Sequence, residues 1–166
     1  MSVAENLRGQ EHHRRDRQIE DVAHDPYRER HRPPGPAVCP TCGLVYQHGA
    51  YHWMPRPDGA VEHVCPACRR ISDRFPAGYL TLEGAFLQTH RDEIMGLVHN
   101  EAARARAEHP LERIMAVEEE HGKVIITTTD VHLPRRIGDA LHHAYRGESQ
   151  TKYAPDEYQV RVSWRR

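Results

Sequence analysis

The rhythm of apolar and polar positions changes several times along this chain. Residues 1–37 show almost no apolar periodicity: Arg, His, Asp and Glu dominate, and Arg32-Pro33-Pro34-Gly35-Pro36 closes the stretch. Such a segment buries too little surface to offset its ordering entropy, so it reads as a disordered mixed-charge arm with a stiff proline-rich linker. Strand-forming residues then gather at Leu44, Val45, Tyr46, Tyr51 and Trp53, before a turn at Pro57-Asp58-Gly59 and the pair Val61 and Val64. From about Leu82 to Glu108 the spacing of Phe86, Ile94, Leu97 and Val98, followed by Ala102, Ala103 and Ala105, is helical, and Pro110 stops it. Ile114–Val117 and Val124–Thr129 predict a hairpin about His121-Gly122. Asp130 is an N-cap for a helix whose stripe is Ile137, Leu141, Ala144 and Tyr145, ended by Gly147. A short strand near Thr151–Tyr153, a turn at Pro155-Asp156 and the alternation Tyr158, Val160, Val162, Trp164 complete the pattern.

The predicted class is α+β, with a helix and a small β-β-α-β-β antiparallel domain occupying 81–166. The preceding module, 38–80, is organised by cysteine. All four cysteines stand in two C-x-x-C pairs, Cys39/Cys42 and Cys65/Cys68, with 22 residues between the pairs. Each pair is a tight turn holding two thiolates close together, and two such turns make a closed tetrahedral four-sulfur shell suited to one structural Zn²⁺. Two knuckles joined by antiparallel strands would be a zinc ribbon; helix-capable sequence after Cys68 keeps a treble clef as the rival.

Composition narrows the function. Mean hydropathy is −0.80 and 38% of residues are hydrophobic, which leaves little material for a core and makes a metal staple useful. No apolar run is long enough for a membrane span and no signal peptide is visible; with reduced, metal-ligating cysteines this points to a cytoplasmic protein. A net charge of −1 excludes global attraction to nucleic acid or anionic membrane, but not a local basic face. Of the 23 basic residues only Lys123 and Lys152 are lysine, an arginine bias attributed to a GC-rich genome.

Three groups of side chains are candidates for chemistry. Arg69, Arg70 and Arg74 follow the second knuckle; with Tyr46, Tyr51 and Trp53 they offer guanidinium groups for phosphate and rings for unpaired bases, against a plain reading as a solvated helix start and core packing. Arg135 and Arg136 open the Asp130–Tyr145 helix beside Thr127-Thr128-Thr129, an anion-binding arrangement or simply a capped helix. Fourteen histidines, including His12-His13 and His142-His143, raise a second metal site, although no H-E-x-x-H is present. Phosphate-binding, dinucleotide and nucleophile-elbow signatures are absent, as is the zinc-deaminase pair of motifs, and no small-molecule substrate or nucleophile–base pair is evident, so no enzyme is expected.

The two cysteine pairs, Pro76-Ala77-Gly78-Tyr79 and the run Ile126–Gly138 resemble a small family of bacterial zinc-ribbon proteins related to the N-terminal part of the Nmd-three large-ribosomal-subunit export adaptor. The likeness covers roughly residues 37–166, and its specificity rests on the segment around Asp130. It implies Cys39, Cys42, Cys65 and Cys68 as metal ligands and ribosome or structured-RNA binding as a shared property. The adaptor's additional C-x-x-C pairs and its export signals are missing, so nuclear export is not implied.

The expectation is a non-enzymatic, zinc-binding, ribosome-associated adaptor that contacts ribosomal RNA or a ribosomal subunit in assembly, quality control or stress, using Arg69, Arg70, Arg74, Trp53, Arg135 and Arg136. The alternatives are a zinc-stapled protein–protein adaptor, with the N-terminal arm as a further contact for a protein partner, and a thiol redox switch.

Overall fold

The computed structural model describes residues 25–166 as a mixed α+β protein with two sheets and four helices. The readings of His12-His13 and of the first part of the arm fall outside the described residues. Residues 25–36 do not fit a free arm. Tyr27 Oη donates to Asp73 Oδ2 (2.7 Å), Tyr51 Oη donates to Glu29 Oε2 (2.8 Å), and Glu29 Oε1 meets His63 Nε2 at 2.5 Å. Partners of opposite polarity on the following module, rather than hydrophobic burial, fold this stretch down.

The first unit is a small sheet of β1 (Ala37–Val38), β2 (Val45–Gln47), β3 (Ala50–His52) and β4 (Val61–Glu62), in the order β3-β2-β1-β4. His48 and Gly49 join β2 to β3 with φ of 52° and 82°, the mirror-image two-residue turn whose twist suits a hairpin. Helix α1 (Pro66–Ser72) follows β4, with Cys65 as its N-cap and Pro66 in the first turn, where a missing N–H costs nothing.

The second unit is a five-stranded sheet of β5 (Gly78–Glu83), β6 (Ile114–Glu120), β7 (Lys123–Thr128), β8 (Glu148–Tyr153) and β9 (Val160–Arg165), ordered β6-β7-β5-β9-β8. The predicted β-β-α-β-β succession is present, but the sheet is not purely antiparallel. β5 lies at its centre, antiparallel to β7 and parallel to β9, with Leu80 opposite both Ile126 and Val162. A unit boundary between Leu80 and Thr81 would cut this central strand, so the division falls before Gly78. Helical sequence correspondingly starts later than Leu82, as α2 (Ala85–Thr89) and α3 (Arg91–Glu108), which break at His90. The fourth helix, α4, spans His132–Tyr145.

One core joins these pieces. Leu80, Leu82, Val124, Ile126, Val160, Val162 and Trp164 from the sheet bury against Ile94 and Val98 of α3 and Leu133, Ile137 and Leu141 of α4. Gly78 is needed where β5 passes β7 and α4, because a Cβ there would stand 2.2 Å from Thr128 Oγ1 and 2.4 Å from Pro134 Cγ.

Candidate metal centre

The first knuckle closes on its own backbone. Gly43 N–H donates to the Cys39 carbonyl (2.9 Å), Cys39 N–H donates to the Leu44 carbonyl (2.8 Å), and Gly43 takes the φ of 80° that the turn requires. The second pair is presented by a helix start: Cys68 N–H points at Cys65 Sγ at 3.4 Å. All four sulfurs lie within 4.8 Å of one another, and Cys42 Sγ and Cys65 Sγ are 3.8 Å apart. Metal–sulfur bonds of about 2.3 Å in a tetrahedron give S···S edges of about 3.8 Å. The four cysteines are unbridged and Cys39, Cys65 and Cys68 are buried, so the cluster can hold a metal ion.

Electrostatics favours a cation here. Burial pushes the Cys65 and Cys68 thiols up, and neighbouring sulfurs add to the penalty on their charged forms. Burial also opposes ionisation of Cys39, but hydrogen bonds from backbone N–H groups at Cys65, Cys42 and Thr41 bring that thiol down to about 6. Thiolates gathered in a dry site need positive charge, which a metal ion would supply and one side chain supplements.

That side chain is Arg113, from the second unit. Its Nη1 reaches Cys68 Sγ at 3.4 Å, and its Nη2 reaches Cys42 Sγ at 3.4 Å and Cys65 Sγ at 3.9 Å. Its Nε donates to the Pro110 carbonyl (2.9 Å), and only 8% of the residue is exposed. Burial works against the Arg113 cation, while hydrogen bonding and attraction to the sulfurs raise its pKa overall. Thr129 fixes the segment: its Oγ1 accepts from Arg113 N–H (2.9 Å) and donates to the Leu111 carbonyl (2.6 Å), and its N–H donates to the Arg113 carbonyl (2.9 Å). Arg113 follows a helix stop in Pro110-Leu111-Glu112, where nothing in the sequence marks it.

The arginines singled out in the sequence part company. Arg69 keeps 43% of its side chain exposed beside Glu29 (3.4 Å), and Arg74 is exposed. Arg70 is instead an interior residue, 1% exposed, with Nη2 donating to Asp25 Oδ1 (2.6 Å), Nη1 donating to the Phe75 carbonyl (2.9 Å), and the Tyr27 ring 4.2 Å away. It is removed from the candidate RNA contacts because its cation is spent on holding residues 25–27 against α1. Tyr46 and Tyr51 pack ring to ring at 5.1 Å within the module, whereas Trp53 stays exposed.

Arg135 and Arg136 are half-buried on α4, Arg135 over the Tyr153 ring at 6.0 Å and Arg136 3.8 Å from Glu108. The helix start beside them is already occupied, since Asp130 Oδ2 accepts from His132 N–H (2.7 Å) and Leu133 N–H (3.1 Å). The hydroxyls of Thr128 and Thr129 are likewise occupied, Thr128 Oγ1 donating to the Asp130 carbonyl at 2.7 Å and Thr129 Oγ1 to the Leu111 carbonyl. This helix end is therefore a capped start rather than an open phosphate site. His142 and His143 are exposed, His142 Nδ1 lying 3.1 Å from the Gly147 carbonyl; among the described residues only the cysteines form a metal-sized group.

Near the cap, Glu112 Oε2, Asp130 Oδ1 and Arg136 Nη1 are buried without a protein hydrogen bond. Burial, reinforced by the Asp130 charge, pushes the Glu112 carboxyl up to about 7 from its ordinary 4.5. A raised carboxyl pKa means that the folded state holds the extra proton between these values, so stability falls as pH rises from about 4.5 through 7. Glu112→Gln removes the buried charge while keeping the shape. Thermal denaturation should show the variant several degrees more stable than wild type at pH 8, with the difference vanishing near pH 4. An equal difference at both values would show that Glu112 acts through packing alone.

No helix among the described residues is long and apolar enough to cross a membrane. No family model, no curated protein and no solved structure matches this chain.

Proposed function

We propose that Cys39, Cys42, Cys65 and Cys68 hold one structural Zn²⁺ in a treble-clef arrangement, and that this cytoplasmic, non-enzymatic bacterial protein uses the stapled module to bind ribosomal RNA or a ribosomal subunit. Support for the treble clef comes from a knuckle, the β2–β3 hairpin and a helix that carries the second cysteine pair in its first turn. The observation that carries the RNA reading is the exposed guanidinium and indole surface on this module, Arg69, Arg74 and Trp53. A closed four-sulfur shell leaves zinc no open position for substrate or water, so its work there is to hold the fold. The near-zero net charge makes RNA affinity depend on such local sites.

Arg69→Ala with Arg74→Ala tests this, because neither residue is buried. Sedimentation with ribosomal particles at two salt concentrations should show weaker association and a salt slope reduced by about 0.7 to 0.9 for each phosphate that is no longer neutralised. Zinc content should not change. A wild type that neither cosediments nor shifts ribosomal RNA at low salt overturns the RNA reading.

A protein–protein adaptor is favoured by another feature of the same unit. Val61 and Phe75 are 54% and 51% exposed, with Met54 and Val64 also at the surface. Its signature is a partner retained after nuclease treatment, with little RNA affinity even at low salt.

A further inference from the structure

A groove of about 650 Å³ runs between the two units. Trp53 and Ile71 of the first unit face Ala103 and Ala107 of α3 across it, with His99 and Arg106 along the same helix. Alanines at these positions leave a shallow wall, since larger side chains would close the gap. Trp53 is held in place: its Nε1–H donates to the Arg106 carbonyl at 2.9 Å, and the Arg106 guanidinium lies 4.8 Å from its ring centroid. That carbonyl is in the last turn of α3, where no intrahelical donor remains for it. Trp53 nevertheless keeps 38% of its surface exposed.

The charge of the lining is one-sided. Arg106 and Arg113 contribute to it and no carboxylate does. Arg113 is directed at the sulfurs, but no ion pair among the described residues uses Arg106. A preorganised indole–guanidinium pair beside a flat alanine wall, with cations and no acid, matches a flat ring attached to an anion. It matches an apolar peptide anchor less well, because such an anchor offers the Arg106 guanidinium no anion.

We infer that this groove is a binding site for single-stranded RNA, in which an unpaired base lies against the Trp53–Arg106 pair and an adjoining phosphate meets Arg106. The inference rests on the RNA reading above and assigns that reading its base-contacting site. The interface between the two units then supplies the base contact, and the exposed Arg69 and Arg74 of the first unit supply phosphate contacts.

The second tryptophan, Trp164, is fully buried, so binding-induced change in tryptophan emission reports Trp53. Titration of zinc-loaded full-length protein with a short oligoadenylate should quench that emission, and a duplex of equal length should quench it far less. By gel shift with labelled oligoadenylate, Trp53→Ala should weaken affinity roughly 5- to 150-fold, the range for removing one stacked base. Ala103→Leu narrows the groove from an exposed helix position without altering Trp53, and it should weaken binding while zinc content and helicity stay native. If both variants bind oligoadenylate as wild type does while ribosomal association persists, the groove inference is overturned and the RNA reading stands. If wild type binds neither oligoadenylate nor ribosomal RNA at low salt, both fall. Quenching by a leucine-anchored amphipathic peptide but not by oligoadenylate overturns the inference in favour of protein docking.

Discussion

Cys65→Ser should unfold residues 37–76 and leave the five-stranded sheet standing. Structural zinc contributes about 10–16 kcal/mol in small metal-folded units, comparable with or above the roughly 5–15 kcal/mol that stabilises a whole domain. The first unit has little else to hold it. Apart from the cysteines, its buried apolar side chains are mainly Ala37, Val38, Leu44, Val45, Tyr46, Ala60 and Ala67, while the second unit has an apolar core of its own. Hydrogen exchange followed by mass spectrometry should show Val45–His52 and Pro66–Ser72 losing protection, with β5, β7 and β9 retaining it. Wild type should carry about one zinc per chain by elemental analysis. Native exchange in the variant, or metal-free wild type that folds normally, sinks the assignment. Protection should survive from Gly78 onwards, because β5 is paired on both sides by β7 and β9 rather than by the metal module.

Arg113→Met should be the most damaging substitution outside the cysteines. The proposed Zn²⁺ with four thiolates would carry two net negative charges, and Arg113 places a guanidinium against three of the four sulfurs in a buried setting. Removing one member of such a buried charge group costs about 3–5 kcal/mol, since the remaining charge keeps its desolvation penalty without its partner. Substituting a group that hydrogen-bonds metal ligands lowers metal affinity about 10- to 100-fold. Chemical denaturation should show the drop in stability, and transfer of zinc to a chromogenic chelator should be correspondingly faster. Arg113→Lys should not restore the wild-type rate, because one ammonium cannot span Cys42 and Cys68 while also filling the Nε position beside Pro110. Wild-type stability and zinc retention in Arg113→Met would falsify the role. The same substitution should loosen the two units, since Thr129 and Leu111 anchor this arginine in the second unit while its tip lies in the first.

Local chemistry made much of the molecule legible in the chain. Two C-x-x-C turns specify a four-sulfur cluster because each turn alone fixes the spacing of its pair, and the cluster is where the spacing places it. The strict alternation of Val160, Val162 and Trp164 buries one face of β9, and the stripe Ile137/Leu141 buries one face of α4, as their periods require. The turn at His121-Gly122 follows from residues that accept positive φ. Gly78–Glu83 also alternates, Leu80 and Leu82 inward, but the helical spacing just after it concealed so short a strand. Its central place, parallel to a strand almost eighty residues later in the chain, is a long-range pairing that no local pattern encodes.

Tertiary contact decided the fate of the charged residues. Arg69, Arg70 and Arg74 look alike as a cluster, yet the helix turns Arg70 inward to Asp25 and Tyr27 and leaves Arg69 at the surface, with Arg74 exposed just beyond the helix end. Asp130 fills the helix start that the adjacent arginines advertised for an anion. Arg113 carried no signal at all and became the cation at the sulfurs, and Arg106 became the partner of Trp53. The reason is physical: an apolar or cysteine pattern states what must be buried, whereas a charged side chain takes its role from the charges that folding brings within a few ångströms of it.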